Sequence, residues 1–264
     1  MHFVRINAVL ISVILGLAAT VALATSQRMK TEEVAMPDFR DYRAGAERKE
    51  EFFSFLRPLV EAQNRSVLEN RRRLVRLSEK DDLNWFDRRW LAALAGDYGV
   101  PVTDEEGNPA PDQDVIDQLL LRVDEVPVSL ALAQAAKESG WGTSRFAREG
   151  YNLYGEWCFS EGCGIVPKSR APGRSHEVEA FSSPAESVES YMKNINTHDS
   201  YKSFRNARKA QREADRDLSG VKLAEQLSQY SERREAYVKE VKNLIIANDL
   251  ERPSEEAVPD RGGS

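Results

Sequence analysis

Apolar residues recur along most of this chain at three- and four-residue steps, the spacing of one helix face. Between Ala44 and Lys80 the step is kept by Phe52, Phe55, Leu56, Leu59 and Val60. It is then kept by Val67, Leu68, Leu74, Val75 and Leu77 of the stretch Val67–Ser78. Pro58 falls inside this run and is expected to kink or divide the helix, because it lacks an N–H and its ring crowds the preceding turn. Arg71, Arg72, Arg73 and Arg76 fall among the apolar positions. They suit a solvated helix face better than an anion site. Leu83–Tyr98 predicts an aromatic helix, with Trp85, Phe86, Trp90, Leu91, Leu94 and Tyr98 on a broad apolar stripe. Gly99–Gln113, crowded with proline, glycine and acidic residues, predicts a loop. A short helix over Asp114–Val123 comes next, with Val115, Ile116, Leu119 and Leu120 inward.

Pro127 opens a central helix that runs to about Ser139. Proline suits the first helical turn, and Gly140 suits the C-terminal cap. From Tyr151 to Phe181 the helical step is lost, and short alternating runs at Gly164–Val166 and His176–Phe181 predict a β-hairpin or small irregular lobe. Ser183-Pro184-Ala185-Glu186 starts another helix, with Ser183 as N-cap and Glu186 completing a capping box. Helix is expected through Ile195 and, after a break, from Val221 to Ile246. Glu251–Ser264 reads as a disordered tail. The pattern predicts an α+β chain, mainly α.

The first residues differ in kind. Met1–Arg5 carries Arg5, Ala8–Ala24 is uncharged and almost wholly apolar, and Ala22-Leu23-Ala24 offers a small-x-small cleavage pattern. Together these read as an export signal or, at the short limit of a bilayer span, as an N-terminal membrane anchor through residues 8–24. A buried core helix is the alternative. The expected organisation is leader 1–24, linker 25–42, helical region and loop 43–113, main domain 114–250 and tail 251–264. Export places the rest of the chain outside the cytoplasm.

Charge narrows the partners. The 264 residues hold 37 basic and 43 acidic side chains, a net charge of −6. No basic stripe or excess marks a nucleic-acid protein. In an oxidising compartment Cys158 and Cys163 could close a small disulfide loop. Two thiols alone make a poor zinc site, and His176 and His198 fall in no ligand-like spacing with them. Neither a metal nor another cofactor is expected.

The chemistry centres on Ala131–Gly142. Four of its first six residues are alanine, so this helix packs closely, yet Gln134 and Glu138 lie four apart on one face. A carboxylate at the negative end of a helix dipole is disfavoured by up to about 1 kcal/mol. Partial burial and the neighbouring Trp141 push the same way, towards a protonated acid. A general acid must keep its proton near neutrality. An exposed surface glutamate is the competing reading.

Ala133-Gln134-Ala135-Ala136-Lys137-Glu138-Ser139-Gly140-Trp141-Gly142 closely resembles the catalytic-helix motif of the family 73 glycoside hydrolases, the bacterial β-N-acetylglucosaminidases. Tyr151-Asn152-Leu153-Tyr154-Gly155 resembles the segment that comes after it in that family. Tyr230-Ser231, with Tyr237, resembles its late tyrosine motif. Trp157-Cys158-Phe159 and Gly162–Pro167 resemble the Bax-like branch. The resemblance covers about Phe52 to Asn248. It implies a lysozyme-like domain with a small β-lobe, preceded by N-terminal helices. It also implies hydrolysis of peptidoglycan glycan strands after N-acetylglucosamine, with Glu138 as general acid and Tyr230 beside the sugar's C1. Gln134, Asn152, Tyr154, Trp157 and Tyr237 are the expected substrate contacts.

Many members carry a second glutamate in the β-lobe. Here the corresponding stretch Gly164–Lys168 has no acid, so Glu177, Glu179 and Glu161 are the candidates, and alternation puts Glu177 and Glu179 on one strand face. A distant second carboxylate implies inversion by water. Without one, the substrate's own acetamido group could attack, with Tyr230 positioning it. A lytic transglycosylase would also use one glutamate on such a helix, but its downstream Gly-Leu-Met-Gln type segment is missing. A non-catalytic wall-binding or scaffold protein is the other alternative.

Overall fold

The structure, a computed structural model, describes residues 35–102, 113–168, 175–228 and 233–251, together with 170, 173 and 230. The leader, most of the linker, much of the 99–113 loop and nearly all of the tail lie outside the described residues. Contacts divide the chain into Met1–Met36 and Pro37–Ser264, and all the described helices and strands belong to the second unit. Its elements are α1 (Ala46–Ser78), α2 (Trp85–Asp97), α3 (Gln113–Arg122), α4 (Val128–Glu138) and α5 (Arg145–Gly150). Then come β1 (Trp157–Cys158), β2 (Gly164–Ile165) and β3 (Glu177–Glu179). A second helical run closes the chain: α6 (Pro184–Thr197), a 3-10 turn (Asp199–Tyr201), α7 (Lys202–Glu213), α8 (Gly220–Ala224) and α9 (Glu235–Ala247). This is the mainly helical α+β class that the pattern predicts.

The central helix α4 is buried from Ser129 to Ala136 and is packed by α1, α8 and α9. Its alanines leave room for all three neighbours. Pro58 does not divide α1, which runs through it for 33 residues. A buried stripe of Phe52, Leu56, Val60, Val67, Leu74 and Leu77 lies along it, and this packing offsets the lost backbone hydrogen bond. The β-lobe is a three-stranded antiparallel sheet in the order β1-β3-β2 rather than a single hairpin. Cys158 and Cys163 are joined in a disulfide across it.

The arginine run is only half solvated. Arg72 and Arg76 are exposed. Arg73 lies 4.1 Å from the ring of Trp90. Arg71 donates to the carbonyls of Leu120 and Val123 and pairs with Asp124 at 3.5 Å. Asp124, 2% exposed, also accepts twice from Arg212 at 2.7 Å and lies 3.8 Å from Arg208. Burial alone would push this carboxyl up, but the three arginines outweigh it and hold it below the ordinary carboxylate range. Arg208, 1% exposed, further donates to the carbonyls of Leu121, Arg122, Asp124 and Glu125. A cation thereby closes the negative end of α3 and ties α1 and α7 to the turn that starts α4.

Three further expectations need correction. Residues 202–213 form a helix, α7, where the pattern predicts a break. The expected helix from Val221 to Ile246 is two helices, α8 and α9, with residues 228 and 230 between them outside helix. Ser183 caps α6 by accepting from Glu186 N, but Glu186 reaches back to Ser182 N and Oγ, both at 2.6 Å, instead of completing the box on Ser183.

Candidate active site

α4 delivers Glu138 as its last residue. Trp141 N–H donates to Ala136 O at 2.8 Å around a left-handed Gly140 (φ 58°), a closure glycine makes without steric cost. Trp141 then turns onto α1, its ring 5.4 Å from that of Phe53 and 6.0 Å from that of Phe52. Glu138 points the other way, towards the turn that leads into β1. A methyl group at Gly155 would sit 3.6 Å from Glu138 Oε2. Gly155 (φ 72°) therefore brings bare backbone to the carboxyl, at a conformation other residues rarely adopt.

Burial pushes the half-buried Glu138 carboxyl above its ordinary range. A hydrogen bond from Tyr237 and the charge of Lys137 oppose this, while Glu240 adds to it. The Tyr237 hydroxyl also accepts from Gln134 Nε2 at 2.9 Å, and Gln134 Oε1 accepts from Tyr191 at 2.6 Å. A buried hydrogen-bonded line thus runs from Tyr191 through Gln134 and Tyr237 to Glu138. Behind it Lys137 pairs with Glu240, which Arg233 also holds.

The other expected site residues divide between the interior and the surface. Tyr230 donates to Tyr154 O at 2.9 Å and stacks on Tyr237 with ring centroids 5.5 Å apart. Tyr154 is 1% exposed and stacked flat on Tyr191 at 3.9 Å, so it packs inside the fold. Gln134 is likewise fully buried. Asn152, 2% exposed, accepts from Gly155 N and Glu156 N and donates to the carbonyls of Glu156 and Glu179. It pins the turn to β3. Gln134 and Asn152 thus spend their polar atoms on internal hydrogen bonds, while the buried Tyr154 hydroxyl has no hydrogen-bond partner among the described residues. Trp157 is 57% exposed and stacked on His176 at 4.4 Å.

The β-lobe glutamates separate. Glu177 is 5% exposed and accepts from Gly162 N and Gly164 N, so it anchors the disulfide loop rather than facing a substrate. It lies within 4.8 Å of both cysteine sulfurs, but these are spent in the disulfide and offer no thiolate. Glu161 is exposed on the loop. Glu179 lines a cleft of about 640 Å³ with Trp157, Lys193, Asn194 and a residue the sequence did not single out, Glu156. Glu138 does not itself line this cleft; the cleft begins one residue beyond Gly155. Burial pushes the Glu179 carboxyl up, and the charge of Glu186 adds to it. Tyr191 and Tyr201 are also absent from the sequence reading. Both are buried, Tyr191 on α6 and Tyr201 at the end of the 3-10 turn.

A family profile described as mannosyl-glycoprotein endo-β-N-acetylglucosaminidase, the glucosaminidase family, matches residues 117–250. The chain is 33% identical over 210 residues to Protein bax of Escherichia coli (strain K12), covering 80% of this chain and 73% of that protein. No solved structure matches it with significance. The matched span holds α4 with Glu138, the Asn152 turn, the β-lobe and the tyrosines of α6 to α9. The chain belongs to the glucosaminidase family, in its Bax-like family 73 branch, and is a glycoside hydrolase of the endo-β-N-acetylglucosaminidase type acting on glycan.

Proposed function

We propose that the chain cuts peptidoglycan glycan strands at the β-1,4 bond after N-acetylglucosamine, with Glu138 as general acid and Glu179 as the base that activates water. The observation that carries this reading is Glu138 itself, a half-buried carboxyl with a raised pKa, oriented by Tyr237 and faced by bare backbone at Gly155. Glu138 gives its proton to the glycosidic oxygen as the C1–O bond breaks. A water oxygen bonds to C1 from the opposite face, and its proton passes to Glu179. Trp157 offers a stacking surface for a sugar ring, and Tyr230 braces Tyr237 behind the acid. The leader over residues 1–24 supports export, with the catalytic unit facing the periplasm, where such strands are found.

The test is digestion of purified peptidoglycan by the full chain and by its Glu138→Gln variant, with reducing-end analysis of the products. Wild type should release N-acetylglucosamine reducing ends, and the variant should fold but lose this activity. Equal digestion by both sinks Glu138 as the acid. Anhydro-sugar ends would mean a lytic transglycosylase, and binding of strands without cleavage by the wild type would mean a wall-binding protein.

A further inference from the structure

Glu156 sits at the junction of the two lobes, between Gly155, where an added Cβ would lie 3.6 Å from Glu138 Oε2, and β1. The ladder pairs Trp157 with Val178 and Cys158 with Glu177. It continues by one step, because Glu179 N–H donates to Glu156 O at 3.0 Å. Glu156 and Glu179 are therefore cross-strand neighbours, an arrangement that is destabilising when both residues carry like charges. Asn152 bonds to the backbone of both and fixes their spacing. Both side chains line the same cleft.

We propose that Glu156 and Glu179 work as one carboxyl pair, Glu179 as the water-activating base and Glu156 as the substrate-binding partner that keeps its proton and donates a hydrogen bond to the bound sugar. The catalytic half rests on the hydrolase reading above; the pairing does not. Two carboxyls held side by side cannot both ionise readily, so they titrate as a unit. The surroundings decide which one keeps the proton. Ser190 and Asn194 hydrogen-bond to Glu156, but its Oε2 is buried with no hydrogen-bond partner among the described residues. From α6, Glu186, Glu189 and Lys193 line the cleft around the pair. Tyr154, Tyr191, Tyr201 and Tyr230 lie within electrostatic reach of Glu156 and are uncharged near neutrality. Burial pushes Glu156 up to about 8, with the Glu179 charge adding to it. Glu179 ionises first, and Glu156 holds its proton in that field. A buried neutral carboxyl supplies a donor that an ionised one cannot.

The experiment pairs a titration with a rate profile on the full chain. Carbon-13 NMR of glutamate carboxyl-labelled protein should show a carboxyl titrating near pH 8 that is absent from Glu156→Gln. The log of kcat/KM on peptidoglycan should take an added step down of about tenfold centred near pH 8 in wild type, as Glu156 ionises, and Glu156→Gln should lack that step. Glu156→Ala should fall about tenfold below Glu156→Gln at neutral pH, the loss of one hydrogen bond to substrate. If every carboxyl but that of Glu138 titrates in the ordinary range, the pair does not exist. If the high titration is present but the two profiles match and Ala equals Gln, Glu156 has no part in the reaction. If wild type cuts no glycan, the hydrolase reading fails instead, and the titration alone decides the pair.

Discussion

Glu156 makes a stability prediction that needs no substrate. Its carboxyl is held near pH 8 in the fold against 4.5 ordinarily. Below pH 4.5 it is protonated in both the folded and the unfolded chain and costs nothing. Between pH 4.5 and 8 the unfolded chain releases this proton and the folded chain keeps it, so folding stability falls as pH rises. Above pH 8 both states are ionised and the loss stops growing. At about 1.4 kcal/mol per pH unit the whole loss is at most about 5 kcal/mol, and solvent reaching this partly exposed side chain reduces it. Replacing Glu156 with Gln keeps the shape and removes the titration. Urea unfolding of both proteins at pH 4.5, 6.5 and 8.5 should show the variant gaining on wild type by up to that amount, with the gain confined to this window. A difference between the two proteins that stays constant across the three pH values would refute the reasoning.

Tyr237→Phe removes a hydrogen bond that favours the ionised form of Glu138, so the Glu138 carboxyl should titrate higher and the alkaline limb of kcat/KM should move to higher pH. The same change strips Gln134 Nε2 of its buried partner and should cost about 1–3 kcal/mol in chemical denaturation; a limb that moves down would contradict it. Arg208→Met takes one arginine from Asp124 and removes a donor from four carbonyls, of which those of Arg122 and Asp124 keep Asp124 N–H and Asn196 Nδ2. It should cost about 3–5 kcal/mol in thermal unfolding, and a loss below about 1 kcal/mol would show that Arg71 and Arg212 suffice.

What is legible in the chain depends on which contacts are local. α1 and α4 appear in the sequence because their buried faces are built from apolar side chains at helical steps. α7 does not, because its buried face carries Arg205, Arg208 and Gln211 beside Phe204. Those residues read as solvated until their partners, carbonyls and carboxylates far along the chain, are brought to them. The same holds for Arg71. A charge at a buried position has a purpose only in three dimensions, and periodicity scores it as surface.

The two carboxyl positions of the proposed site divide along the same line. Glu138 is readable because everything that defines it locally, from its alanine-rich helix to the Gly140 closure, lies within ten residues. Alternation along β3 makes Glu177 and Glu179 equivalent. Only the backbone N–H groups of Gly162 and Gly164 distinguish them, by capturing Glu177 and leaving Glu179 on the cleft. Glu156 stays invisible because its significance is a matter of strand register. It lies 23 positions from Glu179, and only the β1–β3 ladder and Asn152 set the two side by side. The conspicuous asparagine of the motif thus has its physical purpose here: with four hydrogen bonds it fixes the distance between two acids and the position of Gly155 against a third.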